Sequence, residues 1–261
     1  MTPILDVNQL TMRFGGLVAV DNVTFDLSAD QILAVIGPNG AGKTTVFNAI
    51  TGLYRPTSGE VRFNGILTNK LSPDKIAQLG IRRTFQQSRL FDELSVLDNV
   101  LIGMAPLCKN NLLKAILRRD LLNKEFKEEI AKTTTLLEQF SPFLAGNRLR
   151  RAGDLVPGER RKLEICRALA SNPKVLLLDE PAAGMDPNES AELMNDILKV
   201  RDLKLGVGII LIEHDMAVVQ KTADYIVVLS YGKEIARGTY MEVTTNQIVQ
   251  EAYLGSEAEN A

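Results

Sequence analysis

Cysteine is scarce: Cys108 and Cys166 lie in apolar or helical surroundings with no metal-like pairing, which argues against a disulfide framework or a thiolate metal site. A reducing cytosol is the simpler setting, and the first residues show no basic, apolar, small-residue leader. An excess of one charge is also missing. Lys plus Arg number 30 and Asp plus Glu 32, a net charge of −2 that excludes a global pull toward nucleic acid or anionic lipid. Any basic patch must act locally. Long apolar runs are absent too. "LLL" at 176–178, "VGIILI" at 207–212 and "YIVVL" at 225–229 are strand-sized, far short of the roughly 20 residues that span a bilayer. If a membrane matters, the chain docks to it through something else. No internal repeat or low-complexity tract interrupts the pattern.

What is present alternates apolar strands with periodic helices, punctuated by Gly and Pro, which is the α/β pattern. The length allows one or two domains. The segments 18–28 and 60–65 read instead as half-buried antiparallel strands, the second ending in a turn-favouring Asn64-Gly65, and they predict a small β-layer beside the main sheet. From about 110 to 140, Leu113, Ile116, Leu117, Leu122, Phe126, Ile130, Leu137 and Phe140 fall near one helical face. That face is either core or a surface for a lid or partner helix. The acidic end, 256–261, reads as a flexible tail.

Residues 31–52 read as a strand, a glycine-rich loop and a helix, and match G-x-x-x-x-G-K-[ST] at Gly37, Gly42, Lys43 and Thr44. The loop Gly37, Pro38, Asn39, Gly40, Ala41, Gly42, Lys43, Thr44, Thr45 lets backbone N–H groups curl around phosphate oxygens at a helix N-terminus. Lys43 adds a charge-assisted contact to the outer phosphates. The Thr44 hydroxyl suits Mg2+, which takes oxygen ligands and keeps phosphates among them. The chemistry predicted is nucleoside triphosphate binding.

"KVLLLDEPAAGMD", 174–186, is a buried-type strand ending in Asp179 and Glu180. Taken alone, such an end is as compatible with solvated carboxylates. Beside a phosphate loop, Asp179 is suited to hold Mg2+, often through its waters, and Glu180 to orient and deprotonate an attacking water. His214, the one histidine, again follows an apolar strand, where ligands of open α/β sheets gather. It is placed to reach the terminal phosphate. A last stretch, "GDLVPGERRKLEICRALA" at 153–170, opens a helix with Arg160, Arg161 and Lys162 in its first turns. Cations are disfavoured at that positive end, so an anion arriving from outside is expected to offset them, although a solvated basic face is also consistent.

With the loop at 37–44, the carboxylates at 179 and 180 and the histidine at 214, nearly the whole chain resembles the ATP-binding subunit of an ABC transporter. The resemblance implies a P-loop NTPase core with an antiparallel β-subdomain and a helical subdomain. Its expected bounds are 1–85 with 172–240 for the core and β-layer, about 86–171 for the helices and 241–255 for a C-terminal segment, all within one ATP-binding domain, 1–255. It implies ATP and Mg2+ as ligands, Phe14 in "MRFGG" as the aromatic on which adenine stacks, and Gln86 as the glutamine that touches Mg2+ and the water, with Gln87 as fallback. It also implies a second ATPase subunit packed head to tail. Asp186 would then cross the dimer interface. Leu155, Val156, Pro157, Gly158 and Glu159 stand where the family has Leu-Ser-Gly-Gly-Gln, so Leu155, Gly158 and Glu159 would meet the partner's triphosphate, together with the cations that follow. Val156 replaces a serine hydroxyl, and Pro157 a flexible glycine.

Two transmembrane permease subunits, an indirect link to a substrate-binding protein and a place at the cytoplasmic face of the inner membrane follow from the same resemblance, and nucleic acid does not. Phrases such as "RTFQQSRLFDELSVLDNV", "YGKEIARGT" and "EAYLG" look like the branched-chain amino acid uptake group. Urea or amide uptake and lipopolysaccharide export are served by near relatives. Two other classes stand beside transport: a nucleotide-binding half-site with a weakened signature in an asymmetric heterodimer, and a soluble ABC protein of translation or DNA repair. The interval between loop and signature has no sustained heptads, which disfavours the repair type.

Overall fold

The computed structural model describes residues 3–84, 89–104, 119–202 and 205–259, with side chains left undescribed at 119–126 and 254–259. Gln86 and Gln87 therefore lie outside the described residues, as do Cys108, Leu113, Ile116 and Leu117; for Leu122 and Phe126 only the backbone is described. The chain divides into two compact units, Met1–Gln86 with Lys174–Ala261, and Gln87–Pro173.

The first unit holds two sheets. One is antiparallel, built from β1 (Leu5–Phe14), β2 (Leu17–Leu27), β4 (Ser58–Phe63) and β5 (Ile66–Leu67) in the order β2-β1-β4-β5. The turn between β4 and β5 has Asn64 at φ 47° and Gly65 at φ 78°, the two positive values that a tight two-residue hairpin requires. The other sheet adds β3 (Ile32–Ile36), β6 (Ile81–Arg83), β7 (Val175–Asp179), β8 (Gly208–Ile212), β9 (Tyr225–Ser230) and β10 (Lys233–Gly238) in the order β10-β9-β3-β8-β7-β6. All its pairings are parallel except β10 with β9.

β3, β7 and β8 are buried at every position, as strands covered on both faces must be. Leu33, Val35, Leu177, Ile210 and Ile212 meet Val46, Phe47 and Ile50 of α1 (Lys43–Ile50) and the inner face of the antiparallel sheet, including Leu5, Val7 and Phe25. On the opposite side Ala34 and Ile36 join Val219, Ile226, Val228, Val243 and Val249. Each such aliphatic side chain contributes about 1.5–3 kcal/mol by leaving water. Because β3, β7 and β8 run parallel side by side, the segments that follow them emerge along one edge. That edge carries the phosphate loop, the two carboxylates and the histidine, with Asp179 as the last residue of β7.

α2 (Pro73–Leu79) leads into β6. The second unit contains α3 (Val96–Met104), α4 (Arg119–Phe140), α5 (Pro142–Gly146) and α6 (Pro157–Ala170). Leu137 and Phe140 of α4 are buried and Ile130 is half-buried, so this part of the predicted apolar face is core. The chain closes in the first unit with α7 (Pro187–Asp202), α8 (Met216–Thr222), α9 (Tyr240–Thr244) and α10 (Gln247–Glu259). α10 corrects one expectation: "SEAE" continues the helix to Glu259 where a tail was expected, in keeping with the helix propensity of Ala and Glu. Among the described residues no helix is long and apolar enough to cross a membrane.

Candidate functional site

The phosphate loop owes its path to glycine. Gly37 has φ 145°, and a Cβ there would stand 2.0 Å from the Leu229 carbonyl oxygen. Gly42, at φ 100°, starts α1, and its Cβ would be 2.6 Å from the Ala19 carbonyl oxygen. No L side chain fits either place without moving backbone. The Ala41 N–H donates to the Pro38 oxygen at 3.2 Å and the Gly232 N–H to the Ala41 oxygen at 3.1 Å, which pins the loop against the turn after β9. Asn39, Gly40 and Thr44 are exposed, whereas Lys43 is buried. Its ammonium donates to the Gly37 carbonyl at 2.6 Å and the Pro38 carbonyl at 2.9 Å. Burial pushes the Lys43 pKa down, and the Glu180 and Asp179 carboxylates pull it back up.

A groove of about 550 Å3 runs beside the loop. Its walls include Phe14, Val18 and Ala19 at one end, residues 39 to 45, and Glu180. Phe14 is 42 % exposed, and its ring packs edge-on against Tyr54 at 5.2 Å between centroids. An exposed aromatic face beside a phosphate loop can take a flat heterocycle. Tyr231 also lines this groove and was not anticipated; its signal was a large aromatic immediately before Gly232 in the turn after β9.

Asp179 is the last residue of β7 and pairs in register with Ile212 of β8. It is buried, and its Oδ2 accepts from Arg83 Nη2 at 2.6 Å. Glu180 follows at φ 46°, a left-handed value for a non-glycine residue. Such a conformation costs on the order of 1–3 kcal/mol and tends to persist at functional sites. It is held here by the Glu180 N–H donating to the Ile212 carbonyl at 3.0 Å and by the Ala183 N–H donating back to the Glu180 carbonyl at 3.1 Å.

His214 lies two residues beyond β8 and is exposed. It lines a different cavity, of about 290 Å3, together with Ala182–Met185, Glu213, Asp215 and the start of α7. The structure thus brings Phe14, Asn39–Thr45 and Glu180 to one groove and leaves His214 on a neighbouring one. Glu213, which sequence reasoning passed over, is 1 % exposed. Its carboxylate accepts from the Ala182 N–H at 3.1 Å and the His214 N–H at 3.3 Å, tying the turn after Glu180 to the histidine segment. Burial raises the Glu213 pKa and the Glu180 charge raises it further, against the lowering effect of these hydrogen bonds and of His214. Its only sequence signal was a charge ending the apolar run "IILI".

Asp186 is exposed and caps α7, with Oδ1 accepting from the Asn188 N–H at 2.8 Å and the Glu189 N–H at 3.0 Å. The Glu189 carboxylate accepts from the Asp186 N–H at 3.3 Å in return. This capping box accounts for an aspartate there whether or not it meets a partner.

The second unit corrects the reading of its cations. Arg160 pairs with Asp92 at 2.6 Å, Arg161 with Glu164 at 2.8 Å and Lys162 with Glu159 at 3.5 Å. The charge at the start of α6 is matched by carboxylates of the same unit, so no outside anion is needed to explain it. Glu159 also accepts from the Ser141 hydroxyl at 3.2 Å. Leu155 and Gly158 are buried, and Val156, 59 % exposed, is the N-cap residue with no side-chain cap bond.

A family model described as ABC transporter matches residues 20–183. The high-affinity branched-chain amino acid transport ATP-binding protein BraF of Pseudomonas aeruginosa is 42 % identical, over 97 % of this chain and 98 % of its own length. The corresponding LivG protein of Escherichia coli is 41 % identical over the same shares. Among solved structures, the ADP conformation of an ATP-binding cassette of an ABC transporter matches with a TM-score of 0.84 at 31 % identity, over 98 % of this chain and all of that one. Sequence and fold agree with the groove's chemistry, and the chain belongs to the ABC transporter family as an ATP-binding, ATP-hydrolysing subunit.

Proposed function

We propose that this chain is the Mg2+-dependent ATPase that drives uptake of branched-chain or related amino acids, paired with a second ATPase subunit and docked on two permease subunits at the cytoplasmic face of the inner membrane. The observation that carries the reading is the groove that Asn39–Thr45 of the phosphate loop and Glu180 line together. The cargo rests on the names of the relatives, BraF and LivG, which match almost the full chain.

The donor set fits magnesium. Thr44 offers a hydroxyl and Asp179 a carboxylate, both hard oxygen ligands, while Mg2+ keeps water and phosphate for its remaining positions. Among the described residues no group of three or more His, Cys, Asp or Glu could hold a metal, which is consistent with an ion that arrives with the nucleotide. When bound, it would neutralise phosphate charge and orient the terminal group.

The chain's own residues do the rest. Loop N–H groups and Lys43 hold the phosphates, and Phe14 takes the adenine face. Glu180 accepts a proton from water as the water oxygen bonds the γ-phosphorus and the bond to the β,γ-bridging oxygen breaks. Gln86 and His214 are assigned to the water and the terminal phosphate, and Asp186 and the Leu155–Glu159 tip to the partner subunit. ATP must bind the paired state better than the open one, because a ligand shifts an equilibrium only through that difference. Val156 supports one refinement: where the physiological partner has an intact signature serine, the two composite sites turn over unequally.

Glu180→Gln should retain ATP and lower steady-state hydrolysis by about 10^2–10^4-fold, the usual share of a general base. Light scattering should then show nucleotide-promoted pairing of the purified chain, and affinity purification from detergent-solubilised membranes should recover permease subunits. Unchanged hydrolysis in the variant would remove Glu180 from the chemistry. Loss of this chain without any effect on branched-chain amino acid uptake would overturn the cargo.

A further inference from the structure

Arg83 is the last residue of β6, on the far side of β7 from the phosphate-loop strand. Its side chain is 7 % exposed and that of Asp179 8 %. One terminal nitrogen, Nη2, donates to Asp179 Oδ2 at 2.6 Å; the other, Nη1, donates to Asn48 Oδ1 at 2.6 Å. The guanidinium carbon stands 5.4 Å from the centroid of the Phe47 ring, within cation–π range. Asn48 lies four residues after Thr44 on α1, one helical turn on and on the same face.

These contacts connect the two elements that carry the magnesium-type donors. The helix bearing Thr44 and the strand bearing Asp179 are bridged by one planar cation with two diverging N–H ends. We propose that Arg83 is a positioning residue for the divalent cation: it braces α1 against β7 and so sets the spacing of the Thr44 hydroxyl and the Asp179 carboxylate. The inference rests on the magnesium site proposed above and adds a residue that neither the phosphate loop nor the strand carboxylates supply.

Stability alone does not explain the pair. A buried ion pair is often matched or exceeded by apolar side chains of similar volume, and this one sits against Phe47 of the apolar core. Geometry explains it better. Mg2+ demands short, near-octahedral contacts and tolerates misplacement poorly. Holding Oδ2 on Arg83 restricts the carboxylate's rotation. Lysine could not do the same work, since a single ammonium lacks the rigid fork that reaches two partners at once.

The test uses the full chain and Mn2+ as the probe, titrated by electron paramagnetic resonance with saturating ADP, alongside ADP binding in EDTA. Partners that orient a metal's ligands typically account for 10–100-fold in affinity, so Arg83→Gln should weaken Mn2+ by about tenfold or more and leave ADP in EDTA within about threefold. Arg83→Lys should fall between. Asn48→Ala, which leaves the ion pair in place, should weaken Mn2+ by a smaller factor, and it decides the matter if the Arg83 variants do not fold. Native Mn2+ affinity in Arg83→Gln or, failing that variant, in Asn48→Ala overturns the proposal. So does an equal loss of ADP in EDTA, which is the mark of general damage. If the unmodified chain with ADP takes up no Mn2+, the metal site itself is lost and the brace with it.

Discussion

Helices α1 and α6 both begin at an open tip without a side-chain cap, yet they treat charge in opposite ways. At α1 the cap is Gly42 in a left-handed conformation, and the first residue, Lys43, is held by carbonyls of its own loop. At α6 the cap is Val156, Pro157 follows, and each cation of the first turns has a carboxylate from the same unit. A lysine or arginine near a helix N-terminus is therefore informative only after nearby carboxylates have been counted. The phosphate loop is defined by backbone shape, and the α6 tip by what its side chains leave uncovered.

The largest effect is expected from breaking that shape. Gly37→Ala puts a methyl 2.0 Å from the Leu229 oxygen, and the loop must shift by about an ångström to clear it. A hydrogen bond to a charged group contributes about 1.5–3 kcal/mol, so the loss of one or more loop N–H contacts should show in calorimetry as ADP affinity falling by about 10–10^2-fold or more. A variant that binds ADP normally would mean the loop geometry does not define the site. In the second unit, Arg161→Met takes the ion-pair partner from Glu164, whose side chain is 3 % exposed and keeps the Arg89 N–H at 2.7 Å. Removing one partner of a buried pair costs roughly 3–5 kcal/mol, readable by denaturant unfolding. ADP affinity should stay within about twofold, because no ligand of the phosphate loop is touched. A large loss of ADP affinity would show that the two tips do not act as separate modules.

Much of this contrast was legible in the sequence, in parts. Spacing revealed the loop at 37–45, the carboxylates ending β7 and the hairpin turn at Asn64-Gly65, because each depends on residues close together in the chain. Arg161 with Glu164 and Lys162 with Glu159 were also within reach, as i,i+3 pairs on one helix. The partner of Arg160 lies 68 residues away and that of Arg83 96 residues away. Such pairs exist only once strands and helices have been placed, and no local pattern announces them. Glu213 was hidden for a different reason, since its role comes from two backbone N–H groups that leave no trace in residue identity.

A smaller effect should come from giving α6 the cap it lacks. Val156→Ser supplies a hydroxyl able to accept from the first free N–H groups, a contribution of about 0.5–2 kcal/mol. Differential unfolding should show the gain. Where this tip meets the phosphates of a second subunit, turnover of the composite site should rise as well. Higher stability without higher turnover would leave the tip as a structural cap only.

The smallest effect tests the link between the turn after Glu180 and the histidine segment. The Ala182 N–H bonds to Oε1 and the His214 N–H to Oε2, so Glu213→Gln removes the charge and keeps an acceptor for one of the two, as a protonated carboxyl does. Burial and Glu180 hold the Glu213 carboxyl above its ordinary value of 4.5 in the folded chain. The folded state therefore binds more protons than the unfolded one, and this residue's contribution to stability is full below pH 4.5 and declines as pH rises through the higher folded pKa. Thermal unfolding should find the variant close to the native chain in acid and more stable at neutral pH, with the gap opening above pH 4.5. A gap of constant size would mean that the carboxylate is not strained by burial. A variant less stable at neutral pH would mean that its charge is needed to hold the turn after Glu180 against the histidine segment.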